Sequence, residues 1–141
     1  MDNYRITKLR EYLIKVIDTI ATNKKFQINA DMLSNDVNNY SLDKIPTAST
    51  VEKWISGIEI HRDVFSFRSR LDYGQDTITN LKNIGFFETF EELIYSNNKN
   101  GILPEIEGIE SIECLNCGTL NNAETSTAEF DIQIQINYKR G

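Results

Sequence analysis

The chain has 141 residues, of which 40% are hydrophobic and 26% charged, values that are ordinary for a folded protein and exclude wholesale disorder. Its formal net charge of −6 argues against nonspecific nucleic-acid binding, which depends on lysine and arginine releasing counterions. No apolar run approaches the length of about 18 residues that spans a bilayer, and the start MDNYRITKLR lacks the apolar core of a signal peptide. We therefore expect one soluble domain over residues 1–141, located in the cytoplasm of the producing cell and not bound to a membrane.

The first predicted element is an amphipathic helix from Tyr4 to Ala21, in which apolar residues recur at steps of three and four. The segment FQINADML then predicts a short strand, and YSLDKIPTAS predicts another. Pro46 lacks an amide hydrogen, which suits an edge strand or the end of a strand. In VEKWISGIEI we expect a further strand, with Gly57 at a bulge or turn.

The segment HRDVFSFRSRLDYG predicts a long strand with one buried face. Alternation sends Phe65 and Phe67 to the buried face and sends Ser66, Arg68 and Arg70 to the other. We expect the two arginines to meet solvent, an acidic neighbour or a partner.

A helical pair is predicted next. Asp76 is a suitable N-cap for DTITNLKNI, because its carboxylate can accept the free amide hydrogens of the first turn. Gly85 interrupts the pattern, and the apolar spacing after it predicts a second helix that ends in SNNKNG at Gly101.

The last forty residues predict two strands joined through LNNAET. In AEFDIQIQINYK the apolar residues alternate almost perfectly with polar ones, so Gln133 and Gln135 share a polar face. Together the elements predict an α+β fold: an antiparallel sheet with a long C-terminal hairpin, packed against the N-terminal helix and the central helical pair.

Candidate catalytic and metal-binding groups give weak patterns. Cys114 and Cys117 form a CxxC pair, but zinc needs four ligands and the single histidine, His61, does not complete the set. The strand-like surroundings also do not lower a thiol pKa as a helix start does, and alternation favours Cys114 in the core.

The HRD triplet at His61 lacks the other kinase motifs. Paired carboxylates occur at Glu91 and Glu92 and at Glu105 and Glu107. A solvated helix face explains the first pair, and an acidic strand edge explains the second. We therefore expect no catalytic residue, metal or cofactor.

Four polar residues are the candidates for an interface: Arg68 and Arg70 on one strand, and Gln133 and Gln135 on another. The guanidinium forks suit acidic partners, and a row of amides can hydrogen-bond a second chain without burying charge. The last strand could also offer unpaired backbone groups to a neighbouring sheet. We expect reversal of both arginines to glutamate to weaken binding and leave the fold intact.

The segments YSLDKIPTASTVEKWISG, FSFRSRLDYGQDTITNLKNIGFFETFEELI, NGILPEIEGIESIECL and AEFDIQIQINYK follow one another over residues 36–140. In this order and spacing they resemble a family from tailed bacteriophages of Gram-positive bacteria, whose members are called tail terminator or minor capsid protein. NCGTL follows SIECL where the family commonly has a small residue, glycine and tyrosine, so no role of that tyrosine transfers.

The resemblance implies a structural virion protein of the tail or neck region, made in the host cytoplasm. It implies a homohexameric ring on the tail tube that ends tube growth and joins tail to head. Its partners would be its own copies, the tail tube protein, the head–tail connector protein and, in a contractile tail, the sheath. DNA would pass through the ring without specific binding.

Two alternatives remain open from the sequence. One is a head-completion or connector protein on the portal side of the same junction. The other is a small metal-dependent enzyme that uses His61 with acidic neighbours, or Cys114 with Cys117. One zinc ion per purified chain would favour the enzyme.

Overall fold

A computed structural model describes residues 5–20, 27–30, 39–46, 50–72, 77–116, 119–123 and 127–140. In these ranges, seven strands form one sheet and two helices pack against it. The elements in chain order are α1 Arg5–Ile20, β1 Gln27–Ala30, β2 Asn39–Ile45, β3 Thr50–Lys53, β4 Glu59–Asp72, α2 Thr77–Lys99, β5 Ile109–Cys114, β6 Thr119–Ala123 and β7 Thr127–Arg140. The predicted α+β class with an antiparallel sheet is confirmed, and only the β1–β2 pair is parallel.

The centre of the sheet is the antiparallel pair of β4 and β7, each 14 residues long and paired along its whole length. On the outer side of β4 lie β2 and β3, which pair with its C-terminal and N-terminal parts respectively. On the outer side of β7 lie β5 and β6, arranged in the same end-to-end way. Both long strands therefore have neighbours on either side.

This arrangement corrects two predictions about the C-terminal hairpin. Part of LNNAET, predicted as the turn, belongs to β6, and the first arm of the hairpin is split into β5 and β6. The last strand, β7, is central, so it does not offer an unpaired backbone edge. Across the split, the amide of Leu115 donates to the Gln133 carbonyl at 2.8 Å, and the Gln133 amide donates to Oδ1 of Asn116 at 2.7 Å.

The core lies between the two helices and one face of the sheet. The alternation in β4 and β7 sends phenylalanines and isoleucines to this face, and the helices add their apolar stripes. The most deeply buried members are Leu9, Leu13, Ile17, Tyr40, Leu42, Phe65, Phe67, Phe90, Ile94, Ile112, Ile132, Ile134 and Ile136. Ring stacking continues from Tyr40 through Phe67 to Phe90, with centroids 5.3 and 5.4 Å apart.

The two predicted central helical segments are both helical, but they form one continuous helix of 23 residues. Gly85 was expected to interrupt the pattern, yet the helix runs through it, and a side chain there would meet no atom within 4 Å. The proposed cap, Asp76, lies outside the described residues. Within the described part of the chain, no helix is long and apolar enough to cross a membrane.

The end of α2 is set by a glycine, as predicted. Gly101 has φ +75°, and the amide of Ile102 donates to the Asn97 carbonyl at 2.8 Å. This bond, with that from the Gly101 amide to the Asn98 carbonyl at 3.4 Å, forms a Schellman motif. It reverses the chain into the segment of residues 101–108, which lies over one side of α1.

Candidate functional site: the polar face of the sheet

The side of the sheet that neither described helix covers carries the candidate interface residues, and we call it the polar face. Both described helices contribute to the core on the opposite side. By strand alternation and register, this face carries the apolar pair Ile45 and Val64 and the polar residues Ser41, Asp43, Arg62, Ser66, Arg68, Arg70, Ser111, Glu113, Glu129, Asp131, Gln133, Gln135 and Asn137. All four predicted candidates therefore lie on one surface, as their alternation predicted.

Arg68 is held by an internal network of acids. It lies directly opposite Ser41 on β2 and Asp131 on β7. Its Nε donates to Asp43 at 2.7 Å, and its Nη1 donates to Glu129 at 3.3 Å. Because both carboxylates are diagonal cross-strand neighbours, the guanidinium crosslinks three strands.

Arg70 is far less exposed than expected for a solvent-facing arginine, with only 8% of its surface accessible. Of the three expected surroundings for Arg68, namely solvent, an acidic neighbour or a partner, the structure shows acidic neighbours. Reversal of the pair to glutamate would place new negative charge beside Asp43 and Glu129. The double reversal would therefore disturb the sheet itself and cannot separate folding from binding.

Gln135 and Asn137 form a second network nearer the other end of β7. Gln135 donates through Nε2 to Glu113 at 3.0 Å and to Asn137 at 3.4 Å. Asn137 in turn donates to Ser111 Oγ at 2.9 Å. The amide side chains of this half are half-exposed and neutral, so a second chain can reach them without displacing a strong ion pair.

The sequence reasoning missed the acids of the polar face. Asp43, Glu129 and Asp131 occur in the polar phase of YSLDKI and AEFDIQ, so the alternation that found the glutamines carried the signal for them too. Ser66 donates to Asp131, which closes the network in the middle of the sheet. The pairing of each acid with an arginine depends on the strand register. A single sequence does not specify that register.

A second charged cluster lies on the core side, under the start of α1. Asp63 is 2% exposed and accepts from Arg5 Nε, while Lys44 Nζ lies 3.6 Å away. Tyr138 donates its hydroxyl to the same carboxylate at 3.4 Å, and the Arg5 guanidinium lies 4.5 Å from the centre of its ring. Burial and the Asp63 charge raise the pKa of the Tyr138 hydroxyl above its usual value.

His61 belongs to the edge of this cluster. Its ring stacks on Tyr138 with centroids 5.7 Å apart, and Nε2 lies 2.7 Å from Glu59 Oε1. That hydrogen bond lowers the pKa of the Glu59 carboxyl, and Lys53 adds to the effect. His61 is only 8% exposed and lies against the ring of Tyr138, which is the arrangement of a packed side chain.

The other candidate groups are dispersed. Cys114 is half-buried and packs against the core, as alternation predicted, while Cys117 lies outside the described residues. Glu105 and Glu107 are exposed and line a cleft beside α1. Among the residues whose positions are described, no three histidine, cysteine or acidic side chains come together as a metal site.

Comparison with known proteins adds no relative. No protein-family model matches the sequence, and a search of curated proteins found no match.

Proposed function

We propose that this protein is a non-enzymatic tail terminator of a tailed bacteriophage or a phage-tail-like particle. In this role a ring of identical subunits, six by the family resemblance, caps the tail tube, stops its growth and joins the tail to the head-side connector. The sheath is a further partner if the tail is contractile.

The observation that carries the proposal is the one-sided sheet. Its two described helices lie on one face, and its other face is broad, mostly polar and hydrogen-bonded, running roughly 26 Å along β7 from Glu129 to Asn137. A surface of this shape suits contact with another protein over a wide area better than enclosure of a small molecule, which needs a concave site. We assign the polar face to the tube, with Gln133 and Gln135 at its centre.

The charge distribution supports the same role. Residues 101–141 contain seven acids and two bases, a net of −5, while residues 1–100 contain fourteen acids and thirteen bases, a net of −1. DNA slides more easily through a ring whose surface repels its phosphates, because lysine and arginine side chains in the ring would bind the phosphates and hold the duplex in place.

Tube assembly in vitro tests the proposal. Purified tail tube protein from the same particle is polymerised with increasing amounts of this protein, and tube lengths are scored by electron microscopy. We expect substoichiometric amounts of this protein to shorten the tubes, and we expect the protein to sediment with them. Unchanged tube lengths, with the protein left in the supernatant, would contradict the assignment.

A variant pair locates the contact. Gln133→Arg with Gln135→Arg adds two charges to the polar face and should reduce co-sedimentation with tubes at least tenfold. Thr89→Arg with Ser96→Arg adds the same charge on exposed positions of α2 and should leave co-sedimentation unchanged. Equal loss in both variants would show a general charge effect and remove the polar face from the proposal.

The portal-side connector is the second candidate function, and it would use the same surface towards the head. A gold label on the protein in intact tails that lack heads distinguishes the two. A label at the tube end supports the terminator, whereas a label found only on isolated heads supports the connector.

A further inference from the structure

The hairpin between β3 and β4 ends in an exposed apolar tip. The Trp54 amide donates to the Ile58 carbonyl at 2.8 Å, and Gly57 closes the turn with φ +91°. Ile55, at the tip, is fully exposed, and Trp54 is 42% exposed. Ile55 in this position contributes nothing to the core of its own chain, whereas Lys139 Nζ lies 5.9 Å from the centre of the Trp54 ring. Tryptophan is enriched at the centres of protein interfaces.

A cleft on the same molecule has the size and lining to receive such a tip. It lies between α1 and the segment of residues 101–105 that follows α2, and its volume is about 470 Å³, which is within the range of binding clefts. Its apolar lining comes from Val16, Leu93, Ile102, Leu103 and Pro104. Ile102 is 55% exposed there, so the cleft is open to a partner.

Charges around the two surfaces favour a second copy of this chain as the occupant. On the α1 side of the cleft, Lys8 and Glu11 pair with each other at 3.7 Å, which leaves Lys15, and the opposite side presents Glu105. Beside the tip, Glu52 and Lys53 are adjacent on β3, so their side chains project to opposite sides of the hairpin. The Lys53 ammonium lies 3.8 Å from Glu59 of the same hairpin but is 71% exposed, so it can still meet a second acid. An inserted hairpin can therefore place an acid near the lysine and a lysine near the acid.

We propose that the Trp54–Ile55 tip of one copy inserts into the α1 cleft of the next copy. Tip and cleft are different surfaces of one chain, so the contact is head-to-tail, and such contacts close into rings when the rotation permits. This inference rests on the proposed terminator function and names the contact that builds its ring. The polar face is left available for the tube.

The first test is incorporation into particles. Ile55→Asp places a charge in the apolar contact, so the amount of this protein per particle should fall at least tenfold. Tyr95→Asp is the matched control, because Tyr95 is also a large exposed apolar residue but does not line the cleft. Circular dichroism and thermal unfolding of both purified variants check that the fold is kept. Normal incorporation of Ile55→Asp would overturn the contact.

The second test is a disulfide crosslink within assembled particles. In a background with Cys114→Ala and Cys117→Ala, the substitutions Ile55→Cys and Ile102→Cys should give a ladder of crosslinked multimers on a non-reducing gel. Ile55→Cys with Glu88→Cys carries the same number of thiols, with one of them on α2 outside the cleft, and should give no ladder.

The outcomes separate this contact from the proposed function. Particles that contain the 55–102 variant but yield only monomer would overturn the tip contact and leave the terminator assignment standing. Absence of the native protein from complete particles would overturn both. A dimer without higher multimers would also overturn the head-to-tail contact, since it would indicate a two-fold arrangement.

Discussion

At the residue scale, Asp63 is the charged side chain that ties the first helix to the sheet. It is almost fully buried and meets Arg5 of α1, Lys44 of β2 and the Tyr138 hydroxyl of β7. A buried carboxylate is tolerated only when cations and donors compensate for its lost hydration. No sequence pattern indicates this cluster, because its members are up to 133 positions apart and meet only once the register of β4 and β7 is set.

Asp63→Asn should therefore lower the free energy of unfolding by about 1–3 kcal/mol, because an amide cannot balance the cations and adds donors where donors already converge. Urea unfolding followed by circular dichroism measures the change. Glu113→Gln is the control, since this exposed carboxylate accepts only the Gln135 amide among the contacts described, and a change below about 0.5 kcal/mol is expected. Equal effects would contradict the structural role given to Asp63.

Tyr40 allows a prediction about alkaline pH. Burial raises the pKa of its hydroxyl well above the usual value near 10, so the folded state retains a proton that the unfolded state loses. The stabilisation is complete below about pH 10 and is lost as the pH rises beyond it. Tyr40→Phe should reduce the fall in unfolding free energy above pH 10 by up to about 1.4 kcal/mol per pH unit. An unchanged slope in urea titrations at pH 9 to 11 would argue against a buried, protonated Tyr40.

At the element scale, α2 shows where local sequence reasoning stops. Helical spacing on both sides of Gly85 was read correctly, and the end of the helix at Gly101 was predicted from the local sequence SNNKNG. Continuity through Gly85 could not be predicted, because glycine weakens a helix by only about 1 kcal/mol and packing of the flanking phenylalanines can offset that cost. Phe86, Phe87 and Phe90 anchor the helix to the core immediately after the glycine.

Gly85→Ala should consequently stabilise the protein by about 0.5–1 kcal/mol, since the position is helical, exposed and free of nearby atoms. If the chain instead turned at this glycine, alanine would be neutral or destabilising. Thermal unfolding distinguishes the two.

Gly108→Ala provides the opposite case. Gly108 has φ +76°, and a Cβ placed there would lie 2.5 Å from the Lys139 carbonyl oxygen. We expect a loss of at least about 2 kcal/mol, because both the backbone conformation and the close approach to β7 exclude a side chain. A neutral substitution would mean that the segment of residues 101–108 packs less closely on β7 than the structure has it.

At the scale of the whole molecule, alternation and helical spacing were enough for the α+β class, because each element carries its own apolar pattern. Alternation and helical spacing did not predict the order of the strands in the sheet. The strand β7 was read as an outer hairpin arm, yet its isoleucines on one face and amides on the other suit equally well a central strand of a one-sided sheet. The Trp54–Ile55 tip was missed because its residues were assigned to a strand rather than to the turn that projects them.

The central claim is that this protein ends the growth of a tail tube and attaches the tail to the head. Electron microscopy of particles produced with its gene deleted tests that claim most directly, by scoring tail length and head attachment. We predict abnormally long or ragged tubes separate from filled heads, with normal particles restored when the gene is supplied in trans. Tails of normal length still joined to heads would contradict the assignment.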